Sequence, residues 1–463
     1  MTIISPKKRV THEVIPSASR LAGTMRDVGY EFRTAVADLI DNSIAAGARR
    51  VEITMRFEGA ESWIRIADDG EGMDAATLTE AMRYGSRREY QEDELGKFGI
   101  GLKSASTSQC TRLTVATRSS VSQRRIHVRR WDLDVVKKHD QWAVEELDPE
   151  GCEDYLLEPL ESRTGTVVLW ENLDRVLDYR FPDGESARKG FLLRAEELEQ
   201  HLAMVFHRFL AGEAAKYKKK LSITVNGAPV KPWDPFARSE KHTQQLRSCE
   251  FNITNPAGSG TVRFTGYVLP PKDKFSTPQA FEELGGPERW NKQQGFYIYR
   301  NDRMIQSGGW SWLRTPDEHT KLARASIDFS SRLDGAFKVN MAKERVTLPA
   351  ELRDELKPQI DALVRRAQEA YRKSENGYNE PSDRMVGVSE ASSPSGAEGH
   401  ARGGADTAAV SSSIGRGEEV PRAKQIRVAL ERTAVRARAQ AALKKIIALL
   451  VEEFPEVARA LGY

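Results

Sequence analysis

The stretch "ADLIDNSIAAGA", residues 37–48, decides how this chain folds and where its chemistry lies. Its leucine and isoleucine side chains recur at helical spacing, so we expect a helix with one buried side. Yet Asp38, Asp41 and Asn42 fall within five positions of that helix. Short polar side chains favour caps and turns over helix interiors. Because Asp38 and Asn42 stand one helical turn apart, we expect them to face one functional site together.

The composition predicts a protein of two or three domains with balanced charge. A chain of 463 residues is too long for one core. Charged residues make up 30% of it and the formal net charge is only +3, which argues against a protein whose whole surface is dedicated to coating nucleic acid. The three cysteines are far apart and lack CxxC spacing, so neither a disulfide framework nor a zinc site is expected. No signal-peptide core or membrane-length apolar run is present, so we expect a cytoplasmic protein that makes no membrane contact.

Four zones follow one another along the chain. Residues 1–188 interleave helical and strand patterns, which predicts an α/β sandwich. Residues 189–375 form a second unit that opens and closes on a helix, with strands between. Residues 376–421 are rich in serine, glycine and alanine and are predicted to be a disordered linker. Residues 422–463 are predicted to be helical, with an apolar stripe and many arginines and lysines.

A strand that ends in an aspartate and two glycines follows the opening helix. In "IADDGEGM", residues 66–73, Asp68 ends the strand, and Gly70 and Gly72 allow a tight turn and the close approach of a flat ligand. An aspartate in that position can accept a hydrogen bond from an exocyclic amine.

A glycine-rich loop and a second strand complete the pattern. In "ELGKFGIGLKSAS", Gly96, Gly99 and Gly101 precede a helical segment, whose free backbone N–H groups suit a phosphate chain, and Lys103 can add a point charge. The loop has neither Walker A spacing nor the βαβ context of a Rossmann fingerprint. In "RTGTVVLWENL", Thr166 opens a strand, and its hydroxyl is expected to reach Asp68 directly or through water.

In this order and spacing, the motifs resemble the Bergerat-fold ATP-binding domain of the GHKL superfamily: gyrase B, Hsp90, MutL, histidine kinases and MORC ATPases. The resemblance covers roughly residues 15–180 and is closest to MORC-like and MutL-like proteins. It implies an α/β (α+β) Bergerat-fold sandwich with ATP and Mg²⁺ as cofactors.

The resemblance also implies roles for individual residues. Asn42 matches the magnesium-binding asparagine, and its amide oxygen is a hard ligand that suits Mg²⁺. Asp38 stands where the family has a general-base glutamate and is one methylene shorter. A misplacement of about 1 Å can cost ~10²-fold in rate, so we expect slow hydrolysis or a water relayed through Asp41. The family's mobile lid corresponds to residues 77–100. The residues implied to contact the nucleotide are Asn42, Asp68, Gly70, Gly72, Met73, Gly96, Lys97, Gly99, Ile100, Gly101, Lys103 and Thr166.

The second unit is similar to the transducer domain that follows the ATPase domain in MutL, gyrase B and MORC-type proteins. The similarity implies a ribosomal-S5-like β-α-β fold that sends a lysine to the γ-phosphate. Lys343 in "VNMAKERV" is the first candidate for this catalytic lysine and Lys338 the second. The alternative is that both lysines lie on a solvated strand or loop.

Three functions remain open. The first is an ATPase whose lid closes on ATP, which drives an ATP-dependent homodimer, with DNA as a possible partner. The second is a nucleotide-gated binding module with negligible hydrolysis, and the third is an Hsp90-like chaperone. Only His12 precedes the asparagine helix, and it lies in no phosphoacceptor helix, so a histidine kinase is excluded.

Overall fold

The structure is a computed structural model that describes residues 16–27, 30–85, 101–120, 125–217, 219–256, 258–340, 342–377 and 447–448. The described residues up to 377 belong to one compact unit, Met1–Ser382, and residues 447–448, which are helical, belong to a second, Asp383–Tyr463. Apart from residues 376–377 and 447–448, the predicted linker and C-terminal helices therefore lie outside the described residues.

The first part of the chain forms helices on an eight-stranded sheet. The helices are α1 (Ala18–Asp27), α2 (Phe32–Ala45), α3 (Ala75–Ala81), α4 (Gly101–Thr107), α5 (Leu133–His139), α6 (Asp154–Leu157), α7 (Glu185–Val205) and α8 (His207–Ala211). The strands are β1 (Arg50–Arg56), β2 (Trp63–Asp68), β3 (Arg112–Arg118), β4 (His127–Asp132), β5 (Glu145–Leu147), β6 (Gly165–Glu171), β7 (Ser222–Val225) and β8 (Ala228–Pro229).

The strand order of this sheet is β5-β4-β3-β6-β2-β1-β7-β8. Neighbouring strands are antiparallel except β1 and β7, which pair in parallel from Arg50 opposite Ser222 to Ile53 opposite Val225. The alternation of β6 shows how both faces are buried, as expected for side chains with a period of two. Val168 and Trp170 join the main core, and Val167 and Leu169 join a smaller cluster on the opposite face.

Helix α2 lies in the main core, as its apolar spacing predicts. Leu39 is 3% exposed and Ile40 is fully buried. The helix ends at a glycine: Gly47 has φ +71° and its N–H donates to the carbonyl of Ile44. A left-handed residue just beyond the last turn is a common helix terminator, and glycine adopts it without strain. The end of the helix is therefore set by sequence.

The second part of the described chain forms a smaller sheet with its own core. Its strands are β9 (Gln244–Gln245), β10 (Cys249–Asn255), β11 (Gly258–Val268), β12 (Gly295–Arg300), β13 (Arg303–Ser307) and β14 (Ala323–Phe329). Its helices are α9 (Pro278–Leu284), α10 (Arg289–Gln293) and α11 (Ala350–Gly377). The order is β10-β11-β14-β12-β13, with β9 on β11, and only β12 and β14 pair in parallel. Leucines of α11 complete this core.

The mixed α/β fold predicted for both parts is confirmed, and one strand lies where its sequence position did not suggest. The segment "LSITVNG", assigned to the second unit, contains β7, which joins the first sheet beside β1. The proposed limits of the four zones stay predictions. Within the described residues, no helix is long and apolar enough to cross a bilayer.

Candidate functional site

The carboxylates of α2 are buried, and the amide beside them is exposed. Asp38 is 3% exposed and Asp41 is fully buried, whereas Asn42 is exposed. Burial of a charged group is costly unless the group is paired and hydrogen-bonded. The two aspartates therefore need cations nearby.

Two cations from the second part of the chain meet these aspartates. Lys343 Nζ lies 2.9 Å from Asp38 Oδ1 and 2.7 Å from Asp41 Oδ2. Arg303 Nε donates to Asp41 Oδ1 at 3.0 Å, and its guanidinium lies 3.9 Å from Asp38 Oδ1. Both cations are buried. We call Asp38, Asp41, Arg303 and Lys343 the charge cluster; its formal charges cancel.

Further hydrogen bonds hold the cluster in place. Arg303 Nη1 donates to the carbonyl of Lys343 at 3.1 Å, and Lys343 N donates to the carbonyl of Asn340 at 3.0 Å. Tyr30 is hydrogen-bonded to Asp38; burial raises the pKa of the Tyr30 hydroxyl, and the charge of Asp38 raises it further. Lys338, the second candidate lysine, is exposed. The structure thus brings Lys343, and not Lys338, to α2.

A second group of polar residues surrounds Asp68. Its Oδ1 accepts hydrogen bonds from the N–H groups of Gly70 at 2.9 Å and Thr166 at 3.2 Å, and its Oδ2 accepts one from Ser43 Oγ at 3.0 Å. Burial raises the pKa of Asp68 above its usual value, and these hydrogen bonds oppose the rise. A carboxylate offers about four acceptor positions, so one remains for an exocyclic amine.

Thr166 contacts Asp68 differently from the sequence-based expectation. Its backbone N–H, rather than its hydroxyl, donates to Asp68. Its hydroxyl lies 3.2 Å from that of Thr117, which also accepts the N–H of Met73 at 2.9 Å. Met73 and Thr166 are therefore linked through Thr117, a residue that the sequence motifs did not single out.

The glycines of this region allow segments of backbone to approach closely. Gly72 has φ +67°, and a Cβ on it would lie 2.1 Å from the carbonyl oxygen of Arg118. Gly165 has φ +147°, and a Cβ there would lie 2.0 Å from the carbonyl oxygen of Asp68. A Cβ on Gly70 would lie 3.0 Å from Asp68 Oδ1. Glycine at these positions keeps both the turn and the space beside Asp68 open.

The start of α4 lies beside Asp38. A Cβ on Gly101 would lie 3.6 Å from Asp38 Oδ2, the oxygen that Lys343 does not occupy. Lys103 is buried and its Nζ donates to the carbonyl of Ala81 at 2.9 Å; burial lowers its pKa to about 8. Its predicted phosphate contact stays a prediction. The other predicted loop residues, Gly96, Lys97, Gly99 and Ile100, lie outside the described residues, as does most of the lid.

The donors and acceptors present fit a magnesium nucleotide. Asp68 retains acceptor capacity for an amine, and the exposed Asn42 carries an amide oxygen, a ligand type that Mg²⁺ accepts. Asn42 lies one turn after Asp38 on α2. Four residues escaped the sequence motifs: Tyr30, Ser43, Thr117 and Arg303. No local sequence pattern singled out any of the four; Arg303 opens β13 directly after the polar turn at Asn301 and Asp302.

Comparison with known proteins shows which families part of the chain is similar to. Residues 30–166 match the family described as "Histidine kinase-, DNA gyrase B-, and HSP90-like ATPase". A DNA mismatch repair protein MutL from Rhodospirillum rubrum is 34% identical over 186 residues, which cover 39% of this chain and 25% of the relative. The chain thus spans about a quarter of that protein's length.

A solved structure described as the N-terminal domain of a DNA repair protein aligns with 78% of this chain and with all of its own length. Its sequence identity is 16% and its TM-score 0.42, so the family assignment rests on the sequence matches instead. Over residues 30–166, the chain is therefore similar to the family of histidine kinase-, DNA gyrase B- and HSP90-like ATPases.

Proposed function

We propose that this protein hydrolyses ATP slowly with Mg²⁺ and uses ATP binding as a conformational switch in a process on DNA. The observation that carries the catalytic part is the 2.9 Å ion pair between Asp38 and Lys343, two residues separated by 305 positions. A general base and a cation for the transferred phosphoryl group are the two charges that this reaction needs close together.

Each residue of the site has a proposed task. Asp38 Oδ2, which points towards the start of α4, orients the attacking water and accepts its proton. Lys343 offsets charge at the γ-phosphate, and Asn42 holds the metal. Asp68 accepts the adenine amine while Ser43 and the N–H groups of Gly70 and Thr166 keep it oriented. The proposed reaction is the in-line transfer of the γ-phosphoryl group of Mg-ATP to water.

The charge cluster supports the switch. Asp38 Oδ1 and Lys343 Nζ are paired, so Lys343 must leave Asp38 before it can reach a phosphate. A ligand that binds the separated arrangement better shifts the population towards it. We propose that this shift accompanies closure of the lid and association of two chains. The DNA role is supported by the MutL relative, whose description names DNA mismatch repair.

A phosphate-release assay tests the catalytic proposal. We expect wild-type turnover to exceed that of Asp38→Ala, Asn42→Ala and Lys343→Met by about 10²-fold or more. Lys338→Met is the matched control, because Lys338 is exposed, and it should retain wild-type turnover. Equal rates in all five proteins would defeat the proposal.

A size measurement tests the switch. We expect the mass in solution to double with a non-hydrolysable ATP analogue and to stay monomeric in Asn42→Ala. If the analogue binds but the mass stays constant, association is not the output of the switch.

The second candidate function is a nucleotide-gated binding module with negligible hydrolysis. The buried pairing of Asp38 with Lys343 favours it, because a base that stays paired cannot turn over substrate. Saturable ATP binding with turnover at the background rate, together with the same change of mass, would select this function.

A further inference from the structure

A cleft on the second part of the described chain carries a concentration of unpaired positive charge. Its volume is about 760 Å³, and it lies between α11, the turn at residues 272–274 and the segment before β9. The residues that line it are His242, Gln244, Leu269, Pro271, Lys274, Ala362, Arg365, Arg366, Glu369, Ala370 and Lys373. Four cations thus face one carboxylate. None of these residues belongs to the nucleotide site.

The cations have no partners among the residues that the structure describes. The side chains of Lys274, Arg365, Arg366 and Lys373 form no hydrogen bond or ion pair with a described residue, and all four residues are exposed. Glu369 stands four residues from both Arg365 and Lys373, a spacing at which helix ion pairs form, yet it pairs with neither. The charges of the cleft are therefore available to a ligand.

The charge of α11 is segregated along its length. Between residues 351 and 361 the helix has four carboxylates and two cations; between residues 365 and 373 it has four cations and one carboxylate. Cations near a helix C-terminus complement its dipole, but that effect decays within the last turn. Arg365 and Arg366 lie about three turns before the end at Gly377, so the dipole does not account for them.

We propose that this cleft binds the phosphate backbone of duplex DNA. The proposal rests on the DNA role given under the proposed function and assigns it a surface. Arg365 and Lys373 are about 12 Å apart along the axis of α11, a length that corresponds to three to four phosphates of one strand when it is measured along the duplex axis, at ~3.4 Å for each phosphate. Arginine presents a planar fork that matches phosphate oxygens.

The lining of the cleft favours a duplex over other polyanions. Among the described residues, no aromatic side chain lines it, so this part of the chain offers no stacking platform of the kind that single-strand binders use. Leu269, Pro271, Ala362 and Ala370 add an aliphatic part to the lining, and His242 and Gln244 are further polar residues in it. An acidic peptide would bury main-chain N–H and C=O groups there with few partners. The backbone of a duplex can place its charged phosphates beside the cations without burying an unpaired main-chain group.

Salt-dependent binding of a labelled duplex of about 30 base pairs to the full chain tests the proposal. The variant is Arg365→Glu with Arg366→Glu. The matched control is Lys357→Glu with Arg372→Glu, which makes the same charge change on exposed positions of the same helix outside the cleft. We expect the cleft variant to bind about tenfold or more weakly, and its slope of log K against log salt to be shallower by about 2, at ~0.9 for each lost phosphate contact. The control should keep the wild-type slope.

Three outcomes would overturn the proposal: no duplex binding by wild type at 50 mM salt, equal losses in the variant and the control, or unchanged duplex binding in the variant.

Binding of poly-glutamate to the same proteins is measured in parallel. If only poly-glutamate binding depends on Arg365 and Arg366, the cleft is an acidic-protein site. ATP turnover without DNA is measured on the same proteins, and it should equal wild type in both variants. The wild-type chain could show no ATP turnover while the cleft variant still loses duplex binding. That result would support the DNA-binding cleft and refute the ATPase proposal.

Discussion

At the scale of single residues, the charge cluster is the costliest feature of the site. Two carboxylates and two cations are removed from water, and their mutual attraction offsets the lost hydration only while every partner is present. Replacing the whole set with apolar residues is often neutral, whereas removing one member strands a charge. A substitution of one member of the charge cluster should therefore lower the free energy of unfolding far more than a set of substitutions that removes equal numbers of positive and negative charges.

Lys343→Met is expected to lower the free energy of unfolding by about 3–5 kcal/mol, because Asp38 and Asp41 then share only Arg303. Urea denaturation measures the change. Adding Asp41→Asn to Lys343→Met should restore part of the loss, because it removes one of the stranded charges.

Lys338→Met is the matched control for this experiment and should change the free energy of unfolding by less than about 0.5 kcal/mol, because Lys338 is exposed. A similar loss for both lysines, or no recovery in the double variant, would contradict the cluster as the cause.

Lys103 predicts a pH dependence. Its folded pKa of about 8 lies below the usual 10.5, so between these values the folded chain holds fewer protons than the unfolded chain. The free energy of unfolding should then rise with pH across that window, by at most ~1.4 kcal/mol per pH unit. Lys103→Met should remove this contribution, and Lys138→Met, at an exposed position, should leave it. Identical pH profiles for wild type and Lys103→Met would refute the assignment.

The site could be predicted from sequence where it depends on local spacing. Asp38 and Asn42 are one turn apart on any helix, and Asp68 ends its strand beside two glycines, so short motifs contain them. Arg303 depends on contact between segments more than 250 residues apart in sequence, which no local pattern records. Lys343 was predicted through resemblance, and its pairing with Asp41 was not.

At the scale of elements, the glycine turn after β2 is a tightly constrained connection. Gly72→Ala should destabilise the protein by about 1–3 kcal/mol, because φ is +67° and the added Cβ would overlap the carbonyl of Arg118. Gly23→Ala is the opposite case: it lies within α1 with nothing within 4 Å, so it should stabilise by roughly 0.5–1 kcal/mol. Thermal unfolding of both measures the difference; equal effects would contradict the steric argument.

Individual strands and helices were predictable because burial of one side makes apolar residues repeat at the spacing of a strand or of a helix. The alternation in "RRVEITMRF" and "SWIRIADDG" corresponds to β1 and β2, and the helix predicted around residues 37–48 corresponds to α2. Strand pairing was not predictable at β7. Its sequence shows a strand, but its parallel partner β1 lies about 170 residues earlier, and pairing at that separation depends on the packing of α7 and α8 between them.

At the scale of the described unit, the segment formed by residues 338–340 and 342–345 links the charge cluster to the second part of the chain. It carries Lys343, and Asn340 Oδ1 accepts the N–H groups of Glu344 and Arg345 at 2.9 and 3.1 Å. If Lys343 leaves Asp38 when nucleotide binds, these hydrogen bonds should weaken.

Hydrogen exchange is expected to report that movement. A non-hydrolysable ATP analogue should change the protection of residues 342–345 in wild type and leave Asn42→Ala unchanged. The amides of α11 at residues 354–366 serve as an internal reference and should keep their rates. Unaltered exchange in the loop at saturating analogue would mean that Lys343 stays on Asp38.

The parallel pairing of β1 with β7 also determines how the part of the chain that contains the first sheet can be excised. A fragment that stops at residue 188 would lose β7, β8 and most of α7, and would leave the backbone N–H and C=O groups of β1 without partners along one edge. Such an edge recruits other chains and promotes aggregation. A fragment that keeps both edges of β1 paired must extend at least through Pro229, 63 residues beyond the end of the family match at residue 166.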